Sequence, residues 1–361
     1  MIQRPGENRV WDSPSLPHYD GFVLPLPERS LVSRISAAAG KPAFAEVRKG
    51  ELSRRDTAKN GNVMTGIGDD CAVLRLPSGH DLLATTDFSL EGVHFRRGWH
   101  PPESVGHRCL ARGLSDIAAM GGEPVAAFLS LALPPKLPQA WVDGFLKGLL
   151  KLACEFGVPL AGGDTAQSPS GILADIVILG SVPKGKAVLR SGARPGDRIY
   201  VTGELGGSAA ALNLLFSKRK KLAPKQFPKH FFPEPRIQQG HFLRAKDIAS
   251  SMIDVSDGLS TDLGHICEES RVGAEVWAEA IPRAAFGKPP QTVDPKFALH
   301  GGEDYELLFT ARPNHRVPSQ ILGSRVTCIG EITRRKQVVL VNRAGTRSRL
   351  RPQGWEYFRH Q

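Results

Sequence analysis

Residues 183–197 read PKGKAVLRSGARPGD, a stretch of glycine, proline and basic residues with no strand or helix period. It breaks a chain that otherwise alternates strand-like and helix-like segments. Upstream, CAVLRLP (71–77), HDLLATTDF (80–88), EPVAAFLSLALP (123–134), VPLAGGDT (158–165) and GILADIVILGSV (171–182) are short apolar runs of strand type. Between them, PESVGHRCLARGLSDIAAMGG (102–122) and LPQAWVDGFLKGLLKLACEFG (137–157) carry apolar residues at helical spacing and end in glycine. Downstream, DRIYVTG (197–203) opens a new strand and ELGGSAAALNLLF (204–216) a helix, and further mixed segments follow. The reading is therefore α/β (α+β type), with two α/β domains and a boundary near 184–195. The divisions are an irregular N-terminal extension at 1–28, a first domain at 29–184 beginning with a helix over 28–39, and a second domain at 190–361.

Composition narrows the class. The chain has 361 residues, 41% hydrophobic and 23% charged, which is ordinary for a globular protein of two domains. Its formal net charge is +11, and the densest basic run, SKRKKLAPK (217–225), reads as a solvated loop. Five cysteines, Cys71, Cys109, Cys154, Cys267 and Cys328, are widely spaced without a CxxC. This excludes a zinc ribbon or a disulfide scaffold, and a reducing cytoplasm is the expected compartment. No apolar run approaches the roughly 20 residues of a membrane span, so no membrane association is expected.

The distinctive residues are acids placed where elements end. Asp69 and Asp70 follow GIG, Asp87 closes LLATTD, and Asp116 lies in LSD. Asp164 lies in GGD, Asp254 and Asp257 in IDVSDG, and Glu303 and Asp304 in GGED. Each alone has a plain structural reading. Asp257 could cap a helix, Asp116 could pair with Arg112 four residues earlier, and Asp164 could make an Asx-turn. So many acids beside glycine or serine, in both halves, are not independent caps. Hard divalent cations account for the set: Mg²⁺ takes carboxylate oxygens and shares its other positions with water and phosphates. The hydroxyls of Thr85, Thr86 and Ser256 add neutral oxygens. There is no P-loop, no protein-kinase signature and no serine-hydrolase elbow. The glycine turn VTGELGGSA reads as a packing turn.

In order along the chain stand GIGDDCAVL (66–74), TTDFSLEGVHF (85–95), LARGLSDIAAMGGEP (110–124), LAGGDTAQSP (160–169), RSGARPGD (190–197), MIDVSDGLSTDLGHI (252–266) and LHGGEDYELLFT (299–310). Together they resemble the thiamine-monophosphate kinase family of the aminoimidazole ribonucleotide synthetase superfamily, over roughly 28–358. The resemblance implies transfer of phosphate from ATP to thiamine phosphate. It also implies a first domain that binds ATP and Mg²⁺ and pairs its sheet with a second copy in a homodimer. The second domain would close over nucleotide and substrate. Carried onto this sequence, it implies Asp70, Thr85, Thr86, Asp87, Asp116, Asp164, Asp254 and Asp257 as ligands of several Mg²⁺ ions. Gly163, Asp164, Arg190 and Ser256 would contact ATP, and His94, Glu303 and Trp355 thiamine phosphate. Asp69 would fix the turn that aims Asp70. No general base is implied.

The sequence departs from the family pattern at Arg112-Gly113, where an aliphatic residue and Asn are usual, at Gln167, where Arg is common, and after Asp87. Rival readings within the superfamily are a selenophosphate synthetase, which would want a reactive Cys before Cys71, and a hydrogenase-maturation enzyme, which would want a C-terminal Cys. From other classes, a nucleic-acid binder is suggested by the charge alone, and the chain lacks interleaved basic and aromatic residues. A catalytically inactive scaffold would not need the acids. No nucleic-acid partner is expected.

Overall fold

The computed structural model describes residues 28–40, 62–67, 71–218 and 222–354. The irregular extension, Asp69, Asp70 and Trp355 lie outside the described residues. Helix α1 (Glu28–Gly40) is followed by a small hairpin of Val63–Thr65 with Val73–Leu74. The first large sheet has the order β1-β4-β2-β3, from β1 (His80–Leu90), β2 (Glu123–Leu133), β3 (Leu160–Gln167) and β4 (Leu173–Pro183). β1/β4 and β4/β2 pair antiparallel and β2/β3 parallel. Helices α2 (Pro102–Ala119) and α3 (Gln139–Glu155) make the crossovers and lie together on one face. Both begin directly after a proline and stop at glycine-containing turns, as their sequence punctuation predicts.

The second sheet runs β11-β10-β7-β9-β5-β8-β6, with a short strand, Gln320–Ile321, on β9. Its strands are β5 (Arg198–Thr202), β6 (Ala249–Asp254), β7 (Gly273–Trp277), β8 (Leu307–Ala311), β9 (Ser324–Thr333), β10 (Val338–Val341) and β11 (Arg347–Arg349). One face is covered by helix α6 (Leu259–Ser270), through Leu259, Leu263 and Ile266 on Ile199, Val201, Ile253 and Val276. The other face, with Met252, Leu307 and Phe309, joins the core of the first sheet and α2. Helices α4 (Gly207–Lys218), α5 (Ile237–Ala245) and α7 (Pro295–His300) flank this layer. The glycine-rich break at 183–197 is tied to the end of α2 and to the second sheet. Val188 N–H donates to Met120 O and Leu189 O accepts from Met252 N.

Helix α2 is pressed between neighbours by glycines. A Cβ on Gly106 would lie 1.9 Å from the Phe145 oxygen, and one on Gly148 of α3 1.9 Å from the Glu103 oxygen. Gly113 performs the same service against the sheet, where a Cβ would meet Ile178 Cγ1 at 2.5 Å. The departure at position 113 is thus a packing feature. Gly148→Ala is expected to destabilise by about 1–3 kcal/mol as an overpacked contact, read as a lower urea midpoint. An unchanged midpoint would contradict the close approach of α2 and α3.

Candidate active site

Three elements converge at one end of the shared core: the middle of β1, the C-terminal half of α2 and the loop after β6. Side chains alternate along a strand, so Thr85 and Asp87 point toward α2. There the Thr85 hydroxyl donates a short hydrogen bond to Asp116 Oδ2. On the same turn of α2, Ser115 Oγ donates to Asp254 Oδ2 at 2.7 Å, across the domain boundary. Ser115 and Asp254 are both buried. The loop after Asp254 then carries Ser256 and Asp257 to Gly258, whose φ of 113° and close contact with the His300 carbonyl carbon admit only glycine. Asp262, one turn into α6, accepts from the backbone N–H groups of Asp257 and Gly258 at 3.2 and 3.0 Å. Gly258 is thus the N-cap, Asp262 ties the loop that enters the helix to its first turn, and Asp257 is not the cap.

This gathers like charges in a site with little water. Burial, then Asp116, pushes Asp87 up to about 7, against the pull of Arg112. Burial, then Asp116, pushes Asp254 up to about 8, against the Ser115 hydrogen bond. Burial raises Asp116 too, opposed by the Thr85 hydroxyl and by Arg190, and it raises Asp257, opposed by His265 and Arg190. A buried cluster of oxygen donors that resists ionisation is the donor set a hard cation such as Mg²⁺ requires. Asp257, Asp262 and His265 also bring one donor atom each within 4.8 Å of one another.

Beside the acids lies a cationic corner. Arg108 and Arg112 of α2 grip one carboxylate, Glu303, at 2.7 and 2.6 Å. Burial would raise Glu303, but the two guanidiniums hold it well below the usual carboxylate range. Arg112 does not pair with Asp116, the i+4 partner its sequence position suggests. Glu303 sits at φ 64° and Tyr305 at φ 51°, left-handed backbone held by Glu303 N–H to Ser256 O and Tyr305 N–H to Val255 O. Asp304 points the other way, accepting from Gly206 and Ser208 N–H at the start of α4. That carboxylate fills the helix N-terminus of VTGELGGSA, which is a packing turn. His94 Nδ1 accepts from Leu90 N–H at 2.9 Å, and burial, reinforced by Arg112, lowers its pKa to about 4.

Other predicted residues stand apart. Thr86 faces the opposite side of the sheet, where its hydroxyl donates to Asp175 at 2.6 Å. Gly163 and Asp164 are on β3. The register runs Asp87, Ile176, Leu129, Gly163 across the sheet. At about 4.8 Å per strand, Gly163 is about 14 Å from Asp87. Asp164 is exposed and accepts from Thr165 N–H, a local turn bond. Gly66 lies against Ala161 of the same strand. Gln167 is exposed at the end of β3. Residues that the sequence reading did not single out are Ser115, Asp175, Asp262, His265 and Arg108. DLGHI, already quoted as a motif, held the signal for Asp262 and His265.

Comparison with known proteins fits this geometry. The N-terminal domain model of AIR synthase related proteins matches residues 68–182, and the C-terminal domain model residues 194–342. The thiamine-monophosphate kinase of Escherichia coli (strain K12) is 40% identical over 312 residues, 82% of this chain and 93% of that protein. The chain belongs to the thiamine-monophosphate kinase family. The family's crystal structure from Stenotrophomonas maltophilia K279a superposes with a TM-score of 0.72 at 32% identity, covering 86% of this chain and 95% of that one. A structure described as AaThiL complexed with AMPPCP and TMP gives 0.69 at 31% identity, covering 79% and 89%. Among the described residues no helix is long and apolar enough to cross a membrane.

The acid cluster makes a signed prediction. Asp87 and Asp254 start near 3.8 when unfolded and rise to about 7 and about 8 when folded. Their contribution to stability is present below about pH 4 and is lost as pH rises through 7–8. Mg²⁺ competes with those protons. The rise in Tm produced by Mg²⁺ is therefore expected to grow between pH 6 and 8.5. Asp254→Asn, which keeps an acceptor for Ser115, is expected to raise the metal-free Tm at pH 8 by a few degrees, at about 2–4 °C per kcal/mol. A Mg²⁺ increment that stays flat over this window would contradict the reading.

Proposed function

We propose that the chain transfers the γ-phosphate of ATP in line onto the phosphate of thiamine monophosphate, giving thiamine diphosphate and ADP, the last step of thiamine diphosphate biosynthesis. The observation that carries this is the set of buried Asp254 with half-buried Asp87 and Asp116, beside the Arg108–Arg112–Glu303 corner: an anion-repelling half that calls for cations, next to an anion-attracting half. Asp70, Thr85, Thr86, Asp87, Asp116, Asp164, Asp254 and Asp257 would hold several Mg²⁺ ions. When bound, these neutralise the polyphosphate and the charge that develops on transfer. Gly163, Arg190 and Ser256 serve ATP; His94, Glu303 and Trp355 serve thiamine phosphate. Gly354, just before Trp355, packs on the Asp257 carbonyl and Thr261, which supports a C-terminal aromatic at this site.

The chain's own residues supply orientation. Thr85 and Ser115 fix the carboxylates of Asp116 and Asp254, so the ligands are positioned before substrate arrives. The acceptor is a phosphate oxygen already ionised near neutral pH, so no side chain need take a proton. His94, neutral at that pH, offers a hydrogen bond without adding positive charge.

Asp164 and Thr86 point to a homodimer. They lie on the far face of the first sheet, which also exposes Leu82 and Phe88 at 51% and 54%. Pairing that face with a second copy would cover the apolar residues and bring one copy's β3 edge toward the other's Asp87. The proposed domains are the ATP- and Mg²⁺-binding, dimer-forming unit at 29–184 and the closing unit at 190–361.

Pure protein with ATP, Mg²⁺ and thiamine monophosphate should yield thiamine diphosphate, and Asp87→Asn should lower kcat by more than about a hundredfold, beyond what outer-shell changes cost. Absence of product from folded protein would refute the reaction. For the shared site, Asp87→Asn and Asp164→Asn subunits, each inactive alone, should on random exchange regain about one quarter of wild-type activity, because half the dimers carry one intact site. A mixture that exchanges subunits and stays inactive would sink the shared site.

A further inference from the structure

Arg108 and Arg112 stand one helical turn apart on α2 and share one carboxylate. Arg108, only 3% exposed, also donates to the His230 carbonyl oxygen, so both ends of its guanidinium are committed to the protein. Arg112, 11% exposed, bonds differently: Nη2 to Glu303 Oε1 at 2.6 Å and Nη1 to the Phe88 carbonyl oxygen at 3.0 Å. Two desolvated cations on one anion leave an excess of positive charge at this corner. His94, close enough for its titration to feel both arginines and held neutral, does not offset it. Among the described residues, Asp87 and Asp257, both members of the acid cluster, also feel the charge of Arg112. Cations held by those acids would repel the guanidinium, and an anion placed between them would offset that repulsion.

Its position says which. Arg112 lies between the acid cluster, on the side of Asp87, and the pair His94 and Glu303. A ligand with its cationic ring system at His94 and Glu303 and its phosphate toward the acids would place that phosphate at Arg112. We propose that Arg112 receives the acceptor phosphate of thiamine monophosphate, with the Glu303 carboxylate holding that place until the substrate arrives. This rests on the reaction proposed above. Arg112 binds a non-attacking oxygen of the acceptor. Another acceptor oxygen forms the new bond to the γ-phosphorus as the bond to the β–γ bridging oxygen breaks, and ADP leaves with that electron pair. No proton is required. Glu303, released from one arginine, is then free to face the positively charged ring of the substrate. A guanidinium suits this role because its planar fork matches phosphate oxygens and is always charged.

The test is steady-state kinetics on the full-length protein with Arg112→Met and Arg112→Lys. Loss of a charge-assisted phosphate contact should raise KM for thiamine monophosphate by about ten- to a hundredfold in Arg112→Met. KM for ATP should stay within about twofold, and Arg112→Lys, which keeps the charge but loses the fork, should recover part of the loss. An unchanged KM for thiamine monophosphate would overturn the proposal. So would a parallel rise in both KM values, because that is what a purely structural tie between α2 and Glu303 would give. If Arg112→Met does not fold, Arg112→Lys decides by the same split. Failure of the wild-type protein to turn over thiamine monophosphate would strike the parent reaction instead and is read separately.

Discussion

Everything in this molecule is arranged around carboxylates that are buried together. Asp87, Asp116 and Asp254 come from a strand, a helix and the end of a second strand in two different layers; burial raises all three, and the Asp116 charge raises Asp87 and Asp254 further. Left to themselves such groups would separate or take up protons. They stay because each is fixed by something that does not depend on charge: the Thr85 hydroxyl on Asp116, the Ser115 hydroxyl on Asp254, and the strand pairing of β1 for Asp87. The fold therefore carries a local electrostatic penalty that protons relieve at low pH and that the proposed Mg²⁺ ions would relieve in their place.

Holding that geometry demands a rigid α2, and the glycines explain how it is obtained. Gly106, Gly113 and Gly148 remove side chains where α2 meets α3 and β4, so backbone meets backbone or an isoleucine directly. A helix seated this tightly cannot slide to separate its Asp116 from Asp87. The opposite wall is made rigid differently. The turn at Glu303 is stitched to the loop after Asp254 by two backbone hydrogen bonds, and Glu303 and Tyr305 accept left-handed backbone to do so. Arg108 and Arg112 then join the two walls through Glu303. The domain contact and the substrate corner are one structure.

Much of this was legible in the sequence, for physical reasons that can be named. The break at 183–197 stood out because glycine, proline and charge interrupt every period, and the strands and helices on each side followed from apolar spacing. The acids stood out because carboxylates beside glycine at element ends lack a common structural cause. Strand alternation alone would have told that Thr85 and Asp87 share a face and that Thr86 does not. Strand order could not be read, since nothing local says that β4 lies between β1 and β2, or that Gly163 ends three strands from Asp87. The i+4 rule offered Asp116 as the partner of Arg112, and the structure sends Arg112 across the domain boundary to Glu303. Spacing rules describe one helix, and a stronger partner from another element overrides them.

The two faces of the first sheet differ in a way that bears on the proposed dimer. The face toward α2 is a closed core and holds Thr85 and Asp87 against the second domain. The other face exposes Leu82, Phe88 and Asp164 and carries the Thr86–Asp175 pair. Gly163, with φ of 146°, lets β3 close on the Leu129 carbonyl of its neighbour β2, where a Cβ would not fit. An apolar surface of this kind is unfavourable in water, and the acid at its rim is three strands, about 14 Å, across the sheet from Asp87. Both difficulties have the same resolution. In the proposed dimer a second sheet laid on the first would bury the apolar residues, and two-fold symmetry would carry each rim acid toward the other copy's cluster. Oligomerisation would then be part of the chemistry rather than a means of stability.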